Sequence, residues 1–300
     1  MRRVWLYGSA LAALGVLLII QLGEGAIRIA PQFRFPPDAH TADRIATSTA
    51  STWKQVETHA SDGVLLRASL FQPAQRNGGA VILLHGVADS RGGMLGHARY
   101  LLEAGYTCLL PDSRGHGISG GDVISYGIRE STDVARWADW LKRNVAPQRL
   151  YGMGESMGAA ILLESLPKVP EFRAVVAECS FSDFRTVACD RLAQLTGLHT
   201  PWLFRPAVES GFLYVRTRYG ITLDDASPSN ALRASQTPVL LIHGTRDTNI
   251  PPSHSERLAA IRPASITLWE VPGAVHVDAL GTASDRFPKA VLSWYSSHKF

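Results

Sequence analysis

The segment Leu150-Tyr151-Gly152-Met153-Gly154-Glu155-Ser156-Met157-Gly158-Ala159-Ala160-Ile161-Leu162 compresses an apolar strand, a very tight bend and a helix start into thirteen residues. Ser156 stands at the apex of the bend. The spacing Gly154-x-Ser156-x-Gly158 is the pattern that holds a serine in a strained conformation between a strand and a helix. Glycine is required on either side because a side chain there would collide across the bend. The bend lifts the Ser156 hydroxyl clear of the backbone and leaves the N–H of Met157, at a helix N-terminus, free to face an oxyanion.

A hydroxyl becomes a nucleophile only when a base takes its proton, and that base needs a carboxylate to hold its tautomer. Both lie downstream. Val239-Leu240-Leu241-Ile242-His243-Gly244-Thr245-Arg246-Asp247 is a strand running into a polar turn, which puts Asp247 just past the strand's C-terminal end. The next apolar run, Thr267 to Val271, leads through Pro272-Gly273-Ala274-Val275 to His276 at the same edge, where ligands gather in open α/β sheets. The order Ser156, Asp247, His276 is the one expected behind such an elbow. Other groups compete for these roles. Glu178 follows the strand after Ser156 and is an alternative acid, whereas His254 and His298 read as surface residues and Asp224 and Asp225 as solvated or capping groups. A second oxyanion donor is available at Leu83-Leu84-His85-Gly86-Val87, where the Val87 N–H follows a strand end and His85 reads as a structural hydrogen-bonding residue.

The rest of the chain fits an α/β plan with a mostly parallel sheet covered by helices on both faces. Short unbroken apolar runs at Ala80–Leu84, Thr107–Leu110, Leu150–Met153, Ala174–Ala177, Val239–Ile242 and Thr267–Val271 are strands buried on both sides. Helical stretches at 94–103, 129–143, 157–166, 252–261 and 284–297 fill the gaps or close the chain. Trp53–Thr58 and Val64–Phe71 alternate around Asp62-Gly63 and predict an antiparallel hairpin. Residues 183–233 break the alternation and predict a helical cap with aromatics and arginines intermixed. The folded domain is expected at 53–300.

Ahead of it, Met1-Arg2-Arg3 precedes Val4 to Leu22, about 19 residues and roughly 28 Å as a helix. This reads as a signal-anchor or transmembrane helix over 1–25, with a cleaved signal peptide as the alternative. The arginines before it favour a cytoplasmic N-terminus and a periplasmic or extracellular domain. A cytoplasmic domain is the alternative. Residues 26–52, with Pro31, Pro36 and Pro37, read as a tether.

Composition limits the partners. A net charge of +4 and a pI near 9.1 come from scattered Lys and Arg with no basic run, so nucleic acid is not an expected partner. Cys108, Cys179 and Cys189 show no metal-ligand or disulfide spacing, and neither metal nor cofactor is expected.

Together, His85-Gly86-Val87, Asp112-Ser113-Arg114-Gly115-His116-Gly117-Ile118-Ser119, Gly154-Glu155-Ser156-Met157-Gly158, His243-Gly244-Thr245-Arg246-Asp247 and His276 resemble the α/β-hydrolase superfamily, in its serine aminopeptidase-like and monoacylglycerol lipase-like group. The resemblance spans residue 53 to the C-terminus. It implies a serine hydrolase without metal or cofactor, in which Ser156, Asp247 and His276 are catalytic, Val87 and Met157 form the oxyanion hole, and the Asp112–Ser119 loop is structural. Serine at the elbow, where dehalogenases and epoxide hydrolases carry aspartate, argues against those chemistries. Absence of His-Gly-Gly-Pro-Gly and His-Gly-Gly-Gly argues against proline iminopeptidases and hormone-sensitive-lipase-type esterases. The expected substrate is an acyl ester or thioester, small and lipid-like, with the membrane reached through the N-terminal helix. A peptidase or amidase, a haloperoxidase-like or carbon–carbon bond hydrolase on the same triad, and a non-catalytic binding protein are the alternatives.

Overall fold

A computed structural model describes residues 2–29, 34–35, 38–198 and 200–299, with backbone alone for 2–13. Eight strands form one sheet: β1 (Ser51–His59), β2 (Leu65–Pro73), β3 (Gly79–Leu84), β4 (Thr107–Pro111), β5 (Arg149–Glu155), β6 (Phe172–Glu178), β7 (Val239–Gly244) and β8 (Ile266–Val271). Their order is β1-β2-β4-β3-β5-β6-β7-β8, and β2 alone runs against its neighbours. All six apolar runs are strands, as the pattern implies, and the Asp62-Gly63 hairpin is β1–β2.

Side chains alternate across the sheet, and both faces are covered. Ala80, Ile82, Leu84, Val175, Ala177 and Leu241 point to a core shared with α4 (Glu130–Asn144) and α5 (Met157–Ser165). Val81, Leu83, Met153, Val176 and Ile242 point to the opposite core, closed by α3 (Leu95–Glu103) and α11 (Arg286–Ser297). The pairs Leu84↔Gly154, Gly154↔Ala177, Ala177↔Leu241 and Leu241↔Leu268 bring the C-terminal ends of five strands to one edge.

Over that edge sits the cap. It consists of α6 (Phe184–Thr196), a 3-10 turn at Pro201–Phe204 and α7 (Arg205–Tyr219), while α8 (Pro228–Arg233) returns to pack on α5. Gly197 and Gly220 end α6 and α7 in left-handed conformations. Stacked Phe184 and Phe212, with Val187, Val208 and Val215, form the cap's own core.

The N-terminal segment contributes more than a tether. Helix α1 (Arg2–Ile27) seats its last turns on α7, and Ile27 is fully buried in the cap core. Glu24 accepts hydrogen bonds from Tyr214 and Tyr219, and Tyr126 donates to the Ala26 carbonyl. Gly23 permits the approach, since a Cβ there would lie 2.4 Å from the Tyr214 ring. Within the expected tether, Asp38 caps α2 (Ala39–Ser48), which lays Ala42 and Ala46 against the sheet and is pinned by the Trp53 indole donating to Asp43. Pro31, Pro36 and Pro37 lie outside the described residues, as do the side chains of 2–13, where much of the predicted signal-anchor falls. Among the described residues no helix is long and apolar enough to cross a membrane. The remaining short helices are α9 (Ser253–Ala259) and α10 (Ala279–Thr282).

Candidate active site

Ser156 adopts φ 52°, ψ −116° at the β5–α5 junction. Glycine is indispensable there: a Cβ on Gly154 would meet the Gly158 carbonyl at 2.5 Å, and one on Gly158 would meet the Leu84 carbonyl at 2.2 Å. The bend is anchored by the Ser156 N–H donating to the Glu178 carbonyl at 2.8 Å. The strain is thus held by the sheet itself.

Ser156 and the two residues predicted downstream of it converge. Ser156 Oγ lies 2.9 Å from His276 Nε2, and His276 Nδ1 donates to Asp247 Oδ2 at 2.7 Å. Asp247 is 5% exposed. Its Oδ1 accepts from the Asn249 and Ile250 N–H groups, and its Oδ2 is also 3.2 Å from His243 Nε2. Burial alone would raise the Asp247 pKa, but the His243 and His276 hydrogen bonds and the Ile250 N–H outweigh it and hold the carboxyl well below the usual range. The aspartate is therefore a fixed anion at the back of the histidine. His243, fully buried between Ser255 and the Ile250 carbonyl, is a contact to Asp247 that the sequence pattern did not single out.

Val87 and Met157 both border the cavity in front of Ser156, and among the described residues neither backbone N–H donates to a protein carbonyl. The direction of the Val87 N–H is set by His85. The Ser113 N–H donates to His85 Nε2 at 3.0 Å, so the ring proton sits on Nδ1, which donates to the Gly86 carbonyl at 2.8 Å. In the trans Gly86–Val87 peptide the N–H points away from that carbonyl. His85 thereby aims the Val87 N–H away from the protein interior.

The competing residues go elsewhere. Glu178 Oε1 accepts the Ala279 N–H, and its fully buried carboxyl sits behind the elbow beside His97 and Glu155, with their ligand atoms within 4.8 Å of one another. His97 Nε2 and Glu155 Oε1 are 2.5 Å apart. Burial works against the His97 cation, yet the Glu155 hydrogen bond and charge prevail and raise its pKa, while burial pushes Glu178 up to about 7. Cys179, Asp247 and His276 also approach within 4.8 Å, but burial pushes the Cys179 thiol up and both Asp247 oxygens already accept hydrogen bonds. The reading of His254 as a surface residue is corrected: it is fully buried, accepting from the Ser182 N–H and facing Asp190 at 3.0 Å. In the Asp112–Ser119 loop, Asp112 accepts from the Arg91 and Ile118 N–H groups and Arg114 makes a two-pronged pair with Asp133. These are structural contacts.

In front of Ser156 and His276 opens a cavity of about 620 Å³. Its walls come from the cap, from Phe181, Ile250 and Val277, and from Leu22, Gly25 and Ala26 of α1. Polar side chains are few: Gln21, Asp89, Tyr126, Arg191 and Asn249 besides those at Ser156.

The sequence profile of the prolyl oligopeptidase family matches residues 94–262, a span that contains Ser156 and Asp247 and stops short of Val87 and His276. The uncharacterised protein YqkD of Bacillus subtilis is 32% identical over 181 residues, covering 59% of this chain and 58% of that one. The uncharacterised protein YfhR of Escherichia coli is 28% identical over 267 residues, covering 86% and 83%. Among solved structures, an esterase from Pyrococcus furiosus superposes with a TM-score of 0.70 at 23% identity, over 85% of this chain and 96% of the esterase. A puromycin-hydrolysing peptidase from Mycobacterium tuberculosis does so with a TM-score of 0.65 at 20% identity, over 83% of this chain and 40% of the peptidase. At these identities the structural likeness establishes the α/β-hydrolase fold.

Proposed function

The chain belongs to the prolyl oligopeptidase family of the α/β-hydrolase superfamily, and from that premise we propose that it is a serine hydrolase cleaving esters or thioesters of apolar acyl groups through a covalent acyl-enzyme. Ser156 Oγ attacks the acyl carbonyl as its proton passes to His276 Nε2, and Asp247 holds the ring and balances the imidazolium. The oxyanion accepts hydrogen bonds from the Val87 and Met157 N–H groups, each on the order of 3 kcal/mol in enzymes of this chemistry. Collapse of the intermediate breaks the bond to the alcohol or thiol, which leaves with the His276 proton. Water then repeats the sequence on the acyl-enzyme.

The observation that carries this reading is the apolar cavity ending at Ser156 Oγ and His276. A buried peptide would need partners for every N–H and carbonyl, and these walls supply few. An acyl chain needs none. Cleavage of peptides is the second reading, supported by the family assignment and by the 25% identical Bacillus subtilis protein described as an uncharacterised peptidase, YuxL.

The test is labelling by a fluorophosphonate, which reacts with activated serines. Wild-type protein is expected to label and Ser156→Ala not to. Absence of labelling in folded wild-type protein would refute the hydrolase reading. A parallel panel of p-nitrophenyl esters and peptide p-nitroanilides separates ester from peptide cleavage, turnover of the anilides alone counting against an esterase.

A further inference from the structure

The cap and α1 share a direction. Leu22 and Gly23 lie against Gly211, Glu24 bonds Tyr214 and Tyr219, and Arg28 bonds Tyr219, so residue numbers rise together along α1 and α7. Six residues before Gly23 stands Leu17, and six before Gly211 stands Arg205, each about 9 Å back along its helix. The N-terminal half of α1 and the Pro201–Phe204 turn therefore project to the same side of the molecule.

Among the described residues that side is apolar and uncovered. Leu14, Val16, Leu17 and Leu18 of α1 are exposed, and so are Leu198, Leu203 and Trp202, the last at 74%. Single exposed apolar side chains are ordinary in folded proteins, but a group gathered at one end of a molecule marks a contact surface. The cavity reaches this rim: Leu195 both lines it and is 74% exposed. The charge is biased as well. Arg185 and Arg205 pair with Glu209, and Arg185 also with Asp224, but Arg191, Arg216 and Arg218 of α6 and α7 form no ion pair among the described residues. An apolar rim with an exposed tryptophan beside arginines matches the interface of an anionic bilayer, where the ring and aliphatic groups sit among acyl chains and guanidinium groups meet phosphates.

We propose that the Pro201–Phe204 turn and α1 dock together on an anionic phospholipid bilayer, so that the cavity mouth at Leu195 opens onto the lipid and an acyl chain passes from the membrane to Ser156 without crossing water. Docking stands on the rim itself. The passage of substrate rests on the esterase reading.

The test uses the full chain with Leu203→Cys carrying an environment-sensitive nitrobenzoxadiazole label; the native cysteines Cys108, Cys179 and Cys189 are buried. Mixed phosphatidylcholine–phosphatidylglycerol vesicles are expected to blue-shift its emission and to leave the same label at Lys289→Cys, on α11, unchanged. A protein that sediments with vesicles while the Leu203 label stays unshifted would overturn the proposal, because α1 alone would then be holding the membrane. A shift that grows with protein concentration and is insensitive to vesicles would also overturn it in favour of a second copy of the chain.

Activity provides the other arm. Trp202→Glu combined with Leu203→Glu is expected to slow hydrolysis of a vesicle-borne long-chain ester about tenfold, through loss of apolar burial at the interface. Hydrolysis of soluble p-nitrophenyl acetate should be unchanged. Equal rates on both substrates in variant and wild type would refute entry from the lipid. Failure of the wild type on any soluble ester would refute the esterase reading and leave the fluorescence result standing.

Discussion

Ser156 divides two environments of opposite character. Behind it lie His97, Glu155, Glu178, His243 and Asp247, all buried and tied to one another or to backbone groups. In front lies a cavity whose walls are mostly apolar side chains and whose far side is a cap and a borrowed N-terminal helix. Hydrogen bonds in a dry interior are directional and costly to leave unmade, so the rear can adopt one arrangement only. Apolar contacts are non-directional and depend on area and fit. On the proposed reading the rear sets whether chemistry occurs, and the front sets what is brought to it.

The sharpest way to break this division is at Asp247. Asp247→Asn keeps the shape but removes the anion that accepts the His276 Nδ1 proton, and the amide favours the wrong tautomer. A loss of roughly 10⁴-fold in kcat is expected, by comparison with triads in which this exchange leaves the geometry intact. Steady-state kinetics on a p-nitrophenyl ester, with circular dichroism as a control for folding, would decide it. Activity within tenfold of wild type would mean that His276 does not depend on the Asp247 anion.

A smaller effect is expected from Glu178, and on stability. Burial raises its pKa from 4.5 to about 7 in the folded protein. Between those values the unfolded chain has released the proton while the folded protein keeps it. Stability from this group is therefore greatest below pH 4.5 and falls as pH rises to about 7, by roughly 3 kcal/mol if the whole shift is expressed. Glu178→Gln mimics the protonated form at every pH. Its Tm should gain on the wild type steadily from pH 4.5 to 7 and by a constant amount above. A gap that does not change with pH across that window would show that Glu178 ionises freely in the folded state.

Legibility in the sequence follows the same divide. The elbow was readable because its glycines answer to steric demands a few residues apart, and the strands because burial on both faces leaves unbroken apolar runs. Convergence of Asp247 and His276 could be expected because strand ends in a parallel sheet share an edge. His254 departs from its surface reading for the complementary reason. Its partners Ser182 and Asp190 lie 72 and 64 residues away, and no local pattern announces them. The His97–Glu155 pair, 58 residues apart, was equally silent. In the N-terminal segment the apolar run drew attention from Gly23, whose lack of a side chain accommodates Tyr214, and from Ile27, which completes the cap core. Residues 39–48 read as tether although Asp38 carries the helix-start signal, because proline and small residues nearby outweigh it.

The smallest expected effect probes the front alone. Val208 projects from α7 into the cavity wall and is buried there. Val208→Trp places an indole where an acyl chain would lie, without touching the groups behind Ser156. Burial of one methylene contributes about 0.8 kcal/mol, so exclusion of two should cost a long acyl ester about tenfold in kcat/KM. A short ester that never reaches Val208 should be unaffected. Comparing p-nitrophenyl octanoate with p-nitrophenyl acetate isolates the effect, because any disturbance of Ser156, His276 or Asp247 lowers both rates together and cancels in the ratio. A ratio unchanged from wild type would place the acyl chain elsewhere, and the cavity would then receive the leaving group.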